Sequence, residues 1–388
     1  MAQPALRSKM PTAGITIFSR MSSLALQYNA LNLGQGFPGF AIDPALGDLV
    51  GKYIREGHNQ YAPMPGIEVL RRRISEKIHA NYGHAYDPGS EITITAGGTQ
   101  AIFTAITAFV HPGDEVILFA PAYDCYAPAV EINGGIHRWV SLSYPDYTVD
   151  WTQVASLVNK KTRMIIINTP HNPSGTCFSG NDMQELARIV GGTDIVVLSD
   201  EVYEHIVFDG LHHESAMKFP SLRDRSIIVY SFGKTFHATG WKMGYAVGPE
   251  RLMNEFRKVH QYNVFSCFTP GQYALAEYME DRSTWETLSS FYQDKRDAFI
   301  HLMEGSRFGI VPVSGTYFQL LDYSQVSGMN DVEFAEHLTR EHRLATIPLS
   351  VFYPAGHAES GNGDKVLRIC FAKETGMLEQ AAAILSSL

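Results

Sequence analysis

The sequence predicts an α/β fold: a large domain with a mostly parallel, doubly wound sheet, followed by a smaller α+β domain. Three observations carry this. Short β-rich runs alternate with helical stretches through the centre of the chain. Several of those runs are uninterrupted apolar segments (MIII, IVVL, IIVY), as strands buried on both faces of a parallel sheet require. Beyond about residue 285 the texture changes to longer polar helices with isolated strands.

In chain order, residues 1–40 read as an arm that packs with the small domain, 41–285 as the large domain and 286–388 as the small one. Strands are predicted at 92–95, 115–119, 164–168, 195–199, 227–230 and 244–247. Helices are predicted between many of them, for example at 99–110 and 181–190. In the second domain the pattern gives a helix at 289–304, a strand at 318–322, a helix at 331–341, a strand at 366–371 and a closing helix at 376–388.

Composition excludes several classes. The chain has 388 residues, 45% hydrophobic and 18% charged, an ordinary globular mix that leaves no room for wholesale disorder. A chain of this length buries a large core without disulfides or metals. The net charge is −9 and no basic tract occurs, so neither nucleic acid nor an anionic membrane is an expected partner. Cys125, Cys177, Cys267 and Cys370 lie far apart, which predicts reduced, mostly buried thiols and no metal cluster. The first fourteen residues lack the apolar run of a signal peptide. The apolar stretch at 101–110 contains two threonines and is about half of what a membrane span needs. A soluble, cytoplasmic protein is expected.

Three motifs imitate chemistry. Gly34 to Gly39 spells G-x-G-x-x-G, but only Leu31-Asn32-Leu33 precedes it, Pro38 interrupts the would-be helix and no strand-terminal carboxylate follows. Gly233-Lys234-Thr235 resembles the end of a P-loop, but the position of its first glycine is Ile228. His212-His213-Glu214 lacks the H-E-x-x-H spacing and reads as solvated loop.

Four other pieces, each at the end of a predicted strand, form a coherent set. Strand 164–168 runs into Thr169-Pro170-His171-Asn172-Pro173, where two prolines fix the backbone around Asn172. Strand 195–199 ends in Asp200-Glu201-Val202-Tyr203, a carboxylate and a phenol at one edge. Strand 227–230 ends in Ser231-Phe232-Gly233-Lys234-Thr235, with Gly240-Trp241-Lys242-Met243-Gly244 beyond. Strand 92–95 ends in Ala96-Gly97-Gly98-Thr99 and opens a helix whose free N–H groups suit an anion. Ligands of open α/β sheets collect outside the carboxyl ends of the strands, so these groups should converge.

At these residues the sequence resembles the fold-type I pyridoxal-phosphate enzymes, specifically class I aminotransferases. The resemblance spans nearly the whole chain. Asn32 to Pro38, Asn59-Gln60-Tyr61-Ala62-Pro63 and Asp200 to His205 look like the bacterial methionine aminotransferases and the kynurenine/glutamine transaminases.

The resemblance implies pyridoxal 5′-phosphate as cofactor, held by Lys234 as a Schiff base; once freed, the Lys234 amine carries the proton from Cα. Asp200 would keep the ring nitrogen protonated. Tyr203 and Asn172 would bind the ring oxygen, and Tyr123 would stack on its face. Gly98, Thr99, Ser231 and Lys242 would hold the phosphate, and Tyr61 would reach the phosphate of a neighbouring subunit in a homodimer. Arg368 would grip the substrate carboxylate with Gly36 beside it, and Phe37 and Tyr61 would line an apolar side-chain pocket. The implied reaction is ping-pong transfer from an apolar or aromatic L-amino acid (methionine, phenylalanine, tyrosine, histidine, glutamine or kynurenine) to a 2-oxo acid. A cysteine-conjugate β-lyase would use the same groups, and a non-catalytic pyridoxal-phosphate-binding regulatory module is the reading from a different class.

Overall fold

The structure is a computed structural model that describes residues 7–11, 14–354 and 365–388. The remainder, including the start of the expected arm and 355–364 of the expected small domain, lies outside the described residues. At its centre is a seven-stranded sheet. Its strands are β1 (Ile92–Thr95), β2 (Glu115–Ala120), β3 (Ile136–Ser141), β4 (Thr162–Asn168), β5 (Val196–Asp200), β6 (Ser226–Ser231) and β7 (Gly244–Val247). The order across the sheet is β1-β7-β6-β5-β4-β2-β3. Only β7 runs antiparallel to its neighbours, so the sheet is mixed and mostly parallel.

The unbroken apolar runs have the reason the sequence suggests. Ile165, Ile167, Val197 and Ile228 face one core, and the alternate residues Met164, Ile166, Val196, Leu198 and Ile227 face a second core on the opposite side of the sheet. β3 was not predicted. It is an edge strand with only Val140 buried, and its IHRWVS sequence lacks the continuous apolar signal of the central strands.

Helix boundaries follow local chemistry. The helix Gly180–Val190 begins at Ser179, whose side chain accepts from the Asp182 N–H while Asp182 answers to the Ser179 backbone. Its buried Met183, Leu186, Ile189 and Val190 fall on one face. The helix Gly98–Phe109 starts at Gly97, which adopts φ 81°, a conformation natural to glycine.

A four-stranded antiparallel sheet forms the second layer, with Phe318–Asp322 and Val366–Cys370 paired at its centre. The helix Ile17–Tyr28 packs against the helix Asp331–Glu341, and Leu31–Asn32 pairs in parallel with Leu344–Ala345. That pair is a separate two-stranded sheet, so the chain from residue 17 to 32 packs with elements that accompany the four-stranded sheet without adding a strand to it. No helix among the described residues is long and apolar enough to cross a membrane.

Candidate active site

The carboxyl ends of β4, β5 and β6, the start of the helix Gly98–Phe109 and the Arg368 strand enclose a cavity of about 260 Å³. Of the residues singled out from the sequence, Gly36, Gly98, Thr99, Tyr123, Asn172, Asp200, Tyr203, Ser231, Lys234, Lys242 and Arg368 all line it.

Lys234 follows β6 in the short helix Phe232–Thr235. Its Nζ donates to the Tyr317 hydroxyl at 2.9 Å and to the Gly36 carbonyl at 3.2 Å. Burial of the amine lowers its pKa to about 8, within reach of the neutral form near physiological pH. Asp200 is the last residue of β5, not the first beyond it, and is 3% exposed. Burial raises its pKa to about 6, opposed by a hydrogen bond from the Tyr126 hydroxyl at 2.6 Å to Oδ2. Tyr203 is buried, its ring edge-on to Tyr317 with centroids 5.2 Å apart.

An anion cradle lies at the other end. Gly97 and Gly98 open the helix with uncapped N–H groups. A Cβ on Gly97 would sit 3.5 Å from Nζ of Lys242, so the backbone here is bare and a cation stands beside it. Lys242 itself holds φ 52°, an uncommon backbone state for a non-glycine residue. The Thr99 hydroxyl is 3.3 Å from the Tyr123 hydroxyl.

Arg368 is 2% exposed. Nη1 donates to Asn172 Oδ1 at 2.7 Å, Nη2 lies 3.4 Å from the Gly34 carbonyl, and Nε has no partner. Its guanidinium stacks 4.0 Å from the Phe318 ring centroid. A buried guanidinium that has, among the described residues, only neutral partners and a free N–H is suited to a carboxylate. Gly36 fits this role by its absence of side chain: a Cβ there would approach Phe318 to 2.9 Å.

Two predicted residues are not brought to the cavity. Lys373 pins the Gly34–Gly39 loop through the carbonyls of Gln35 (3.3 Å) and Phe37 (2.8 Å), and the Phe37 ring turns outward beneath its amine, 40% exposed. Tyr61 is 80% exposed, packed edge-on against Phe265 outside the cavity. The sequence reading missed Tyr126, Tyr317, Phe18 and Phe318. Tyr126 stands three residues after the recognised Tyr123; the others carry no local signal.

His212 is exposed as expected, but His213 is buried. Its Nε2 meets Glu201 Oε2 at 2.9 Å, in a network where Glu201 also accepts from Ser199 (2.7 Å) and Tyr230 (2.9 Å). Glu204 alongside pairs with buried Lys77 and accepts from Tyr82 at 2.7 Å. These acids are satisfied structural groups behind the cavity wall.

The sheet order and the lysine-bearing cavity define the class of protein: a fold-type I α/β enzyme with its ligand site at the carboxyl edge of the large sheet. Within that class the chain belongs to the class I and II aminotransferase family, whose profile matches residues 29–385. It is 47% identical over 385 residues to methionine aminotransferase of Escherichia coli, spanning 98% of each chain. It is 33% identical to kynurenine–oxoglutarate transaminase of Dictyostelium discoideum, over 95% of this chain and 93% of that one. The crystal structure of YbdL from Escherichia coli, reported with a methionine aminotransferase function, matches with a TM-score of 0.95 at 46% identity over 100% of both chains. Class I aminotransferases depend on pyridoxal phosphate.

Proposed function

We propose that this chain binds pyridoxal 5′-phosphate in the cavity and moves the amino group of a methionine-like or aromatic L-amino acid to a 2-oxo acid. The observation that carries the reading is the convergence in one cavity of a buried amine of lowered pKa, a buried carboxylate, an anion cradle and a guanidinium without an acidic partner.

The residues fit the cofactor group by group. The bare backbone at Gly97-Gly98, with Thr99, Ser231 and Lys242, would hold the phosphate. Tyr123 would cover a ring face, Asn172 and Tyr203 would bind the ring oxygen, and Asp200 would face the ring nitrogen. Bound there, the cofactor supplies an aldehyde for the amino group and a cationic ring that withdraws electrons from the substrate Cα. Asp200, ionised at neutral pH, would hold a proton at that nitrogen. The Lys234 amine, partly neutral at pH 8, would take the Cα proton and deliver it two atoms away, to the carbon that was the cofactor's aldehyde. Arg368 and the Gly36 backbone would orient the carboxylate.

Charge supports the substrate class. The cavity's cations are Lys234, Lys242 and Arg368. With one linked to the cofactor, one on its phosphate and one on the α-carboxylate, none of the cavity's cations among the described residues is left for a distal carboxylate. Phe18 and Phe318 add apolar walls. The names of the relatives point the same way.

The assembly belongs to the same proposal. Residues 41–285 would bind the cofactor and 286–388, with the arm, would carry Arg368. Tyr61, exposed beside Phe265, would meet the cofactor phosphate of a second copy in a homodimer. The test is a screen of all twenty amino acids against several 2-oxo acids, with added pyridoxal phosphate. Transfer from methionine and aromatic donors is expected; transfer restricted to aspartate, or none, would overturn the reading.

A further inference from the structure

The shorter of the two hydrogen bonds made by Lys234 goes to Tyr317, which plays no part in the roles above. Tyr317 is fully buried, one residue before the strand Phe318–Asp322. Its hydroxyl donates to the Gly36 carbonyl at 2.9 Å. Three groups thus close a triangle: Nζ, the phenol oxygen and the carbonyl oxygen. A phenol has one O–H, and here it faces the Gly36 carbonyl and the Tyr203 hydroxyl, both away from the amine, so its oxygen meets Nζ as an acceptor. The carbonyl can only accept. Both partners therefore take N–H from the lysine, and such bonds are strongest when the donor is charged.

We propose that Tyr317 is a positioning residue: with the Gly36 carbonyl it forms a two-acceptor dock that holds the ε-ammonium of Lys234 while that nitrogen carries the transferred proton. The proposal rests on the reading of Lys234 as the proton carrier. The dock opposes burial, which favours the neutral amine. Of the other groups facing Nζ, Arg368 and Lys242 favour loss of the proton, Cys370 and Asp200 favour its retention, and the Tyr203 ring lies 5.5 Å away. The carbonyl belongs to the loop that would meet the substrate carboxylate, so the dock also links the lysine to that loop.

The test uses the cofactor-free protein, so that it does not depend on turnover. Lys234 is acetylated with acetic anhydride across a pH series and quantified in its peptide by mass spectrometry. Tyr317→Phe keeps the ring and removes the hydroxyl. The midpoint for Lys234 should fall by about one pH unit, a roughly tenfold change in the ammonium-to-amine ratio. A variant that merely loosened the site and admitted water would move the midpoint upward. A midpoint unchanged or raised overturns the proposal. Should Tyr317→Phe fail to fold, 3-fluorotyrosine at position 317, a weaker acceptor of the same shape, should lower the midpoint by less; no movement overturns the dock equally. In the loaded enzyme, Tyr317→Phe should enlarge the isotope effect with Cα-deuterated methionine, and an unchanged effect counts against it. If the wild type transfers no amino group, the functional reading fails, and the midpoint still decides the dock.

Discussion

The Tyr126 hydroxyl donates to Asp200 Oδ2 at 2.6 Å, so the carboxylate at the end of β5 is held by a phenol from a different element, 74 residues earlier in the chain. This bond favours the ionised acid, while burial opposes it and leaves the pKa raised to about 6. Removing the hydroxyl should move the acid higher still. Tyr126→Phe is predicted to shift the acid limb of pyridoxal-phosphate binding toward neutral pH by about one pH unit. Fluorescence titration of the cofactor at several pH values measures it.

Asp200 should also set function against stability. Its folded pKa lies above its unfolded value near 3.8, so the folded state retains the proton longer and stability falls as pH rises from about 4 to about 6. Above that window the buried anion costs on the order of 3 kcal/mol. Asp200→Asn should therefore leave the cofactor-free protein as stable as the wild type or more so at pH 8, while lowering kcat at least a hundredfold. Calorimetry beside steady-state kinetics checks both halves.

Arg368 makes one strong bond, to Asn172 Oδ1 at 2.7 Å, and leaves Nε unpartnered. Loss of a charge-assisted carboxylate contact is worth about 1.5–3 kcal/mol. Arg368→Ala should raise the KM for the amino acid roughly tenfold to a hundredfold, and Arg368→Lys should recover little, because an ammonium cannot present the planar fork. An unchanged KM would return Arg368 to a structural role.

Lys77 and Glu204 form a buried pair behind the cavity, 4% and 3% exposed. Lys77→Met would leave the Glu204 carboxylate with neutral donors only. Breaking a buried pair from one side costs about 3–5 kcal/mol, which thermal unfolding would register as a large fall in Tm. Double substitution to Met and Leu should recover part of it.

Much of this was legible in the sequence for a physical reason. Strands buried on both faces must be apolar throughout, and β4, β5 and β6 stand out as such runs with their polar residues clustered at the carboxyl ends. β3 did not stand out because an edge strand alternates polar and apolar residues. The direction of β7 was invisible, since GYAV reads alike either way. Asp200 at the end of a strand, Lys234 in the short helix after one and Asn172 on a turn stand in stretches with distinctive local chemistry. Phe18 and Phe318 on the cavity wall, and Tyr317 against Lys234, carry no such signal; they are placed only through tertiary pairing, across as many as 281 residues between Gly36 and Tyr317. His213 misled because its partner, Glu201, is 12 residues upstream, where a loop folds back.

The central claim is that Lys234 is the lysine that bonds the cofactor. Its most direct measurement is to saturate the protein with pyridoxal phosphate, reduce with borohydride and map the modified peptide by mass spectrometry. A single cofactor fixed on Lys234 is the predicted result. An unlabelled Lys234, or label found instead on Lys242 or a surface lysine, would contradict it.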